Sequence, residues 1–174
     1  MVIFVLVAAL LRCEFCGGVL IILKFQKEVH MAHTKNSITI KAPYDRVFDI
    51  TNDIERWTEL FDEYKDAKIL KREGNKITFQ LTNNQDNAWR SSRTLDKENK
   101  ICTAQREEPM FPFKYMNLKW TYEEAQDEVK MTWEQDFEMD AKAKFNDVQA
   151  EELINKHSVE NMKRIKELIE SGKV

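Results

Sequence analysis

The sequence predicts an α+β fold in which one curved antiparallel sheet wraps around a long C-terminal helix. Three observations carry that reading. A run of strand-like segments follows one another from about residue 66 to 138. Residues 146–170 then alternate polar and apolar side chains at helical period, with neither Pro nor Gly. Such a helix must bury its apolar stripe, and a sheet that curls around it is the natural cover.

The elements follow in order. "NSITIK" alternates and reads as a strand with Ile38 and Ile40 on one face. Pro43 opens a helix, at a position where its missing N–H costs nothing, that runs to about Thr51. Asn52 and Glu55 have capping-box spacing, with Asn as the cap, and predict a second short helix. On it Trp57, Phe61 and Tyr64 fall at i, i+4 and i+7, so all three rings share one face, with Tyr64 at the helix end. Strands are expected at about 66–72, 75–82, 87–95, 100–107, 115–122 and 128–138. Gly74, the only glycine between 31 and 171, marks the first hairpin turn, and "NNQDN" the next.

Period-two spacing assigns the faces. Trp89, Ser91, Arg93 and Leu95 share one; Met116, Leu118, Trp120 and Tyr122 share another; Met131, Trp133, Gln135 and Phe137 a third. Their alternates, Lys119, Lys130, Thr132, Glu134 and Asp136, are polar and point outward. The inner set is unusual for a core, because Ser91, Arg93 and Gln135 stand among tryptophans. The stripe of the last helix, from Ile154 through Ser158 and Asn161 to Ile165, Leu168 and Ile169, also turns polar in its middle turns, with Asn155 and Met162 at its edges. A lone Ser or Asn on an apolar face is commonly core filler bonded to backbone. Arg93 alone could lie at the surface or pair with Glu107 or Asp136. Taken together, these polar groups in a Trp-rich concave face predict an open amphiphilic cavity, since buried polar groups need partners, water or a ligand.

Composition excludes other classes. The 174 residues are 33% charged with a net charge of −3, and no Lys/Arg run argues for nucleic acid. All four Trp and all four Tyr follow residue 43. No metal-ligand cluster and no phosphate-binding or nucleophile-elbow motif is found. Of the three histidines, His157 lies among charged residues on the last helix and His33 in a ragged terminus.

The first thirty residues stand apart. They are apolar but broken by Arg12 and Glu14, and their uncharged runs of 11 and 9 residues are too short for a membrane span. Cys13 and Cys16 form an isolated C-x-x-C without further ligands. Lys27-Glu28-Val29 can be encoded by a purine-rich run containing a bacterial ribosome-binding sequence, just before His30-Met31. The expectation is that Met31 is the native start, residues 1–30 a translated leader, and 31–174 a single domain. Cys102 then remains the sole cysteine, which suits a reducing cytoplasm.

"NSITIKAPYDRVFDITNDIERWTELFDEY" resembles the start of the bacterial aromatic polyketide aromatase/cyclases of the tetracenomycin and spore-pigment type, in the START-like helix-grip superfamily. The likeness continues through "WRSSRTLD", "PFKYMNLKWTY", "MTWEQDF" and "NMKRIKELIE", covering nearly all of 36–170. It implies a deep pocket in which a linear poly-β-ketone, tethered to the acyl carrier protein of a type II polyketide synthase, undergoes regiospecific aldol cyclisation and dehydration. By the resemblance, Arg93 is the catalytic cation and Tyr64 the phenolic acid/base. Trp57, Phe61, Trp89, Ser91, Met116, Trp120 and Asn161 form the pocket wall, and Leu118, Trp133, Gln135 and Ser158 join them from the inward-facing sets. The chain departs from the family pattern at Asn87, where the first Trp of a W-x-W usually stands, and in the short connection "TNNQDNA" before Trp89. Both departures fall at the expected pocket mouth, where substrate length and regiochemistry are set.

The implied chemistry needs no metal or organic cofactor, because a β-keto methylene is already acidic and correct folding supplies most of the advantage. The protein is expected to be cytoplasmic, a monomer or weak homodimer, with no membrane or nucleic-acid partner. The rival reading is a non-catalytic carrier or chaperone for a hydrophobic molecule such as a quinone or lipid, which shares the pocket but has no use for Arg93 or Tyr64.

Overall fold

A computed structural model of the chain describes residues 31–174; the reading of residues 1–30 as a leader lies outside them. Seven strands form one antiparallel sheet: β1 (Ala32–Ile40), β2 (Tyr64–Glu73), β3 (Lys76–Asn83), β4 (Ala88–Asp96), β5 (Ile101–Arg106), β6 (Phe113–Ala125) and β7 (Glu128–Met139). Their order across the sheet is β1-β7-β6-β5-β4-β3-β2, so the last six form a meander and β1 closes onto β7. Between β1 and β2 come helix α1 (Tyr44–Asn52), a single 3-10 turn (Ile54–Arg56) and the four-residue helix α2 (Trp57–Leu60). Helix α3 (Asp147–Glu170) packs on β1 and β7, which makes the fold an α+β helix grip as expected.

Local chemistry explains the boundaries. Gly74 turns the β2–β3 hairpin with φ +58°, a conformation that a Cβ would strain. In the next turn the Asn83 side chain accepts from the backbone N–H groups of Gln85 and Asn87. Helix α3 begins with a full capping box, Asn146 accepting from the Gln149 N–H and Gln149 reaching back to the Asn146 N–H. β2 is a free edge, and its pairing with β3 is broken by register shifts between Tyr64 and Asp66 and between Ile69 and Lys71.

The sequence reading needs correction at four places. Asn52 caps nothing: its side chain is buried, the cap position of the turn that follows is Asp53, and no side-chain cap bond is present there. Trp57, Phe61 and Tyr64 do not share a helix face, because α2 ends at Leu60, Phe61 is extended (φ −122°, ψ 116°) and Tyr64 opens β2. Thr132 faces outward yet is buried, bonded to Ser37. His33 belongs to β1, where its ring bonds Asp136 at 2.7 Å.

The main core lies between the sheet and the helices, joining Val47, Phe48, Trp57, Phe79, Trp120 and Ile165. A smaller cluster of Ala32, Phe137, Met139 and Ala150 fills the other end, with Met116 packed against it.

Candidate active site

One transverse row of the sheet's inner face runs Thr34, Gln135, Leu118, Ala104, Arg93, Ile77 across β1, β7, β6, β5, β4 and β3. The site is built on this row and the one beside it, where Trp133 and Trp120 are paired.

Arg93 is only 1% exposed. Its guanidinium carbon lies 4.0 Å from the Trp120 ring centroid and 5.6 Å from that of Trp57, so two electron-rich faces flank the cation. Its Nε donates to Asn52 Oδ1 at 2.7 Å, while Nη2 has no partner. Neither Glu107 nor Asp136 pairs with it. The Cys102 thiol lies against Arg93, Tyr122 and Asn52, and burial pushes the thiol pKa up.

Around this cation the aromatic rings form a continuous stack. Trp120 and Trp133 are 4.3 Å apart at 11°, and Trp57 lies 6.1 Å from Trp120 at 20°. Phe61 joins Trp57 and Trp133 at 5.3 and 6.1 Å. The Trp57 indole N–H donates to the Thr51 carbonyl, whereas those of Trp120 and Trp133 are buried without partners. Where the sequence predicts an open cavity, the space beside Arg93 is therefore filled by rings.

Inward-facing side chains that stay half-exposed mark the end of the inner face that solvent reaches: Tyr64, Trp89, Ala104, Arg106, Met116 and Leu118. Tyr64 packs against Trp57, Phe61 and Trp89 at 6.3, 5.4 and 5.9 Å. Burial, reinforced by Glu63 and opposed by Arg106, drives its phenol pKa far above the ordinary value. Tyr64 thus keeps its phenolic proton at neutral pH. Trp57 touches both Tyr64 and Arg93, and so bridges the two expected catalytic groups.

Sequence reasoning missed Arg106. It ends β5 directly opposite the buried Ser91, with its Cζ 4.8 Å from the Trp89 ring and 5.5 Å from Phe113. Its guanidinium also donates to the Pro109 and Phe111 carbonyls. Burial lowers its pKa to about 10, against the opposing influence of Tyr64, which leaves it a cation at neutral pH. The signal was present: Cys102, Ala104 and Arg106 follow period two on the inward face of that strand.

Other expected wall residues are engaged elsewhere. Gln135 Nε2 donates to Thr34 Oγ1 at 3.2 Å and to Ser158 Oγ at 2.7 Å, closing a buried tie between the sheet and α3. Asn161 Nδ2 donates to both carboxylate oxygens of Glu63. That pair lines a cleft of about 560 Å³ between α3 and the connection before β2, with Asp62, His157 and Arg164. A second groove of about 340 Å³ lies on the outer face, along Ser92, Thr94, Thr103, Gln105 and Asn117. Among the described residues no cluster of His, Cys, Asp and Glu is arranged to hold a metal ion, and no helix is long and apolar enough to cross a membrane.

Comparison with known proteins agrees with this architecture. The family model described as polyketide cyclase/dehydrase and lipid transport matches residues 40–163. A Streptomyces cyaneus protein assigned as a polyketide cyclase is 46% identical over 143 residues, covering 79% of this chain and 93% of that one. Among solved structures, an aromatase/cyclase from a Streptomyces strain superposes with a TM-score of 0.72 at 20% identity, over 81% of this chain and 94% of that one. A START superfamily protein from Mycobacterium smegmatis superposes with a TM-score of 0.57 at 12% identity, over 80% of this chain and 95% of the other. On the family match and the 46% identity, with a helix-grip sheet closing over a tryptophan-flanked arginine, the chain belongs to the polyketide cyclase/dehydrase and lipid transport family.

Proposed function

We propose that this protein is an aromatase/cyclase that folds a carrier-protein-tethered poly-β-ketone and directs its aldol closure and dehydration. The observation that carries the reading is Arg93, a buried cation with one N–H unpartnered, flanked by two tryptophan faces. A core has no use for such a group, because a buried charge costs several kcal/mol unless it is compensated.

In aldol closure the acidic β-keto methylene gives up a proton to water, the resulting enolate carbon bonds to a ketone carbonyl, and negative charge moves to the carbonyl oxygen, which takes a proton back from water. Once the rings packed beside Arg93 part to admit the chain, its free Nη2 is suited to receive that charge in a water-poor site. Protonation gives a hydroxyl, which leaves as water together with a neighbouring hydrogen as the ring aromatises. Tyr64, held protonated, is the donor suited to help the hydroxyl depart, with Arg106 beside it to moderate charge on the phenol. Trp89 and Leu118 supply apolar wall at the solvent-reached end. No step requires a metal or an organic cofactor.

The test is co-expression with a minimal type II polyketide synthase. The protein is expected to convert a spread of spontaneous shunt products into one cyclised series. Arg93→Ala should lower its yield on the order of 10²–10³-fold while binding an uncharged aromatic product comparably. If Arg93→Ala folds, binds and leaves the product profile at wild type, the cyclase reading is wrong and the carrier reading takes its place.

A further inference from the structure

We propose that Asn52 is a positioning residue for Arg93, resting on the cyclase reading of the site. Asn52 is 5% exposed and ends α1, forty-one positions before Arg93. Its Nδ2 donates to the Phe48 carbonyl at 2.8 Å and to the Tyr122 hydroxyl at 3.0 Å. A backbone carbonyl can only accept, so the amide cannot be flipped, and Oδ1 must face the Arg93 Nε at 2.7 Å.

The hydroxyls behind it are ordered by the same reasoning. Thr51 Oγ1 donates to the Val47 carbonyl at 2.7 Å. With the Thr51 hydrogen given to Val47, the 2.9 Å contact between Thr51 Oγ1 and the Tyr122 hydroxyl requires Tyr122 to donate, while its oxygen accepts from Asn52. Burial raises the Tyr122 pKa far above the ordinary value, which keeps that hydrogen in place. The chain therefore runs in one direction, from Asn52 through Tyr122 and Thr51 to the backbone of α1.

The acceptor at its head is neutral. A carboxylate in that place would fix the guanidinium equally well but would cancel its charge. A neutral amide fixes Nε, lays the guanidinium along Trp120, and leaves both the charge and the two Nη2 hydrogens for another acceptor. Orientation is thus supplied by α1 and charge by β4.

The experiment combines NMR of the arginine side chains with product analysis. The Arg93 Nε–H resonance, assigned by its disappearance in Arg93→Lys, should exchange slowly in the wild type. In Asn52→Ala it should exchange fast or broaden away, and cyclised product should fall about 10- to 100-fold, the scale of a misplaced catalytic group. Affinity for an uncharged aromatic product should change by less than about 3-fold, since binding without charge development does not use the anchored cation. In an Arg93→Ala background the same Asn52 change should have no further effect on products. Tyr122→Phe keeps the ring against Tyr44 and Phe48, and serves as a milder probe if Asn52→Ala does not fold. An unchanged Nε–H in Asn52→Ala, or an undiminished Asn52 effect without Arg93, would overturn the proposal. If Arg93→Ala itself leaves the products unaltered, the cyclase reading fails, and the Nε–H measurement still decides whether Asn52 holds the guanidinium.

Discussion

Two polar clusters lie in the same transverse row of the sheet, three strands apart, and they are opposites. On β7, Gln135 commits both donors of its amide, one to Thr34 and one to Ser158. On β4, Arg93 is anchored through Nε and keeps an unpartnered Nη2 against two indoles. Both break the apolar pattern of an inward face, and sequence alone weighs them equally. The difference teaches that a buried polar side chain points to a ligand only where its hydrogen-bonding capacity is left over. Where its donors are all engaged, as those of Gln135 are, the group fastens one element to another.

The sharpest way to break this comparison is Trp57→Ala on the Arg93 side. Trp57 is 5% exposed and packs on Phe61, Phe79 and Trp120, so its loss should cost about 3–5 kcal/mol in urea denaturation. A neutral result would mean that the ring stack is already open in solution. Next in size is Gln135→Leu, which leaves Thr34 and Ser158 without their shared donor and should cost about 1–3 kcal/mol. Cyclised product should keep its wild-type pattern in that variant; a changed pattern would show that the β7 cluster also meets substrate.

The smallest effect is a pH slope. The phenols of Tyr44, Tyr64 and Tyr122 are all raised by burial, that of Tyr44 to about 12, against about 10 in an unfolded chain. The folded state holds these protons more tightly, so their contribution is fully present below about pH 10. It is lost as pH rises through the folded-state values. The Gln135 cluster contains no titratable group, so alkaline loosening should begin on the Arg93 side. Urea midpoints between pH 8 and 11.5 should fall, and Tyr122→Phe should flatten the fall.

Much of this molecule was legible beforehand, for physical reasons that differ by element. Period-two alternation and turn chemistry located every strand of the meander, because each inner side chain must face α3 or a ring. The long helix declared itself by length and by the absence of breakers. Asn52 was misread because an asparagine five positions before the tryptophan that opens a helix has the same local signature whether it caps or turns inward. Only a partner on β4 distinguishes the two. Phe61 and Tyr64 left the expected helix because α2 is four residues long, yet their rings still meet Trp57 through the start of β2. Arg106 escaped notice because no tryptophan shares its strand to draw attention to the inward face.

The broken pairing of β2 has a consequence for self-association. A free sheet edge is a template on which another copy can add a strand, and such growth needs a straight run of unpaired N–H and C=O groups. β2 offers none: two register breaks interrupt it, and Lys65, Lys68, Lys71 and Arg72 are exposed along it. A second copy docking there would have to match both kinks while bringing its own like charges alongside. The β2 edge of the sheet is thereby guarded against the polymer that an unbroken strand would seed.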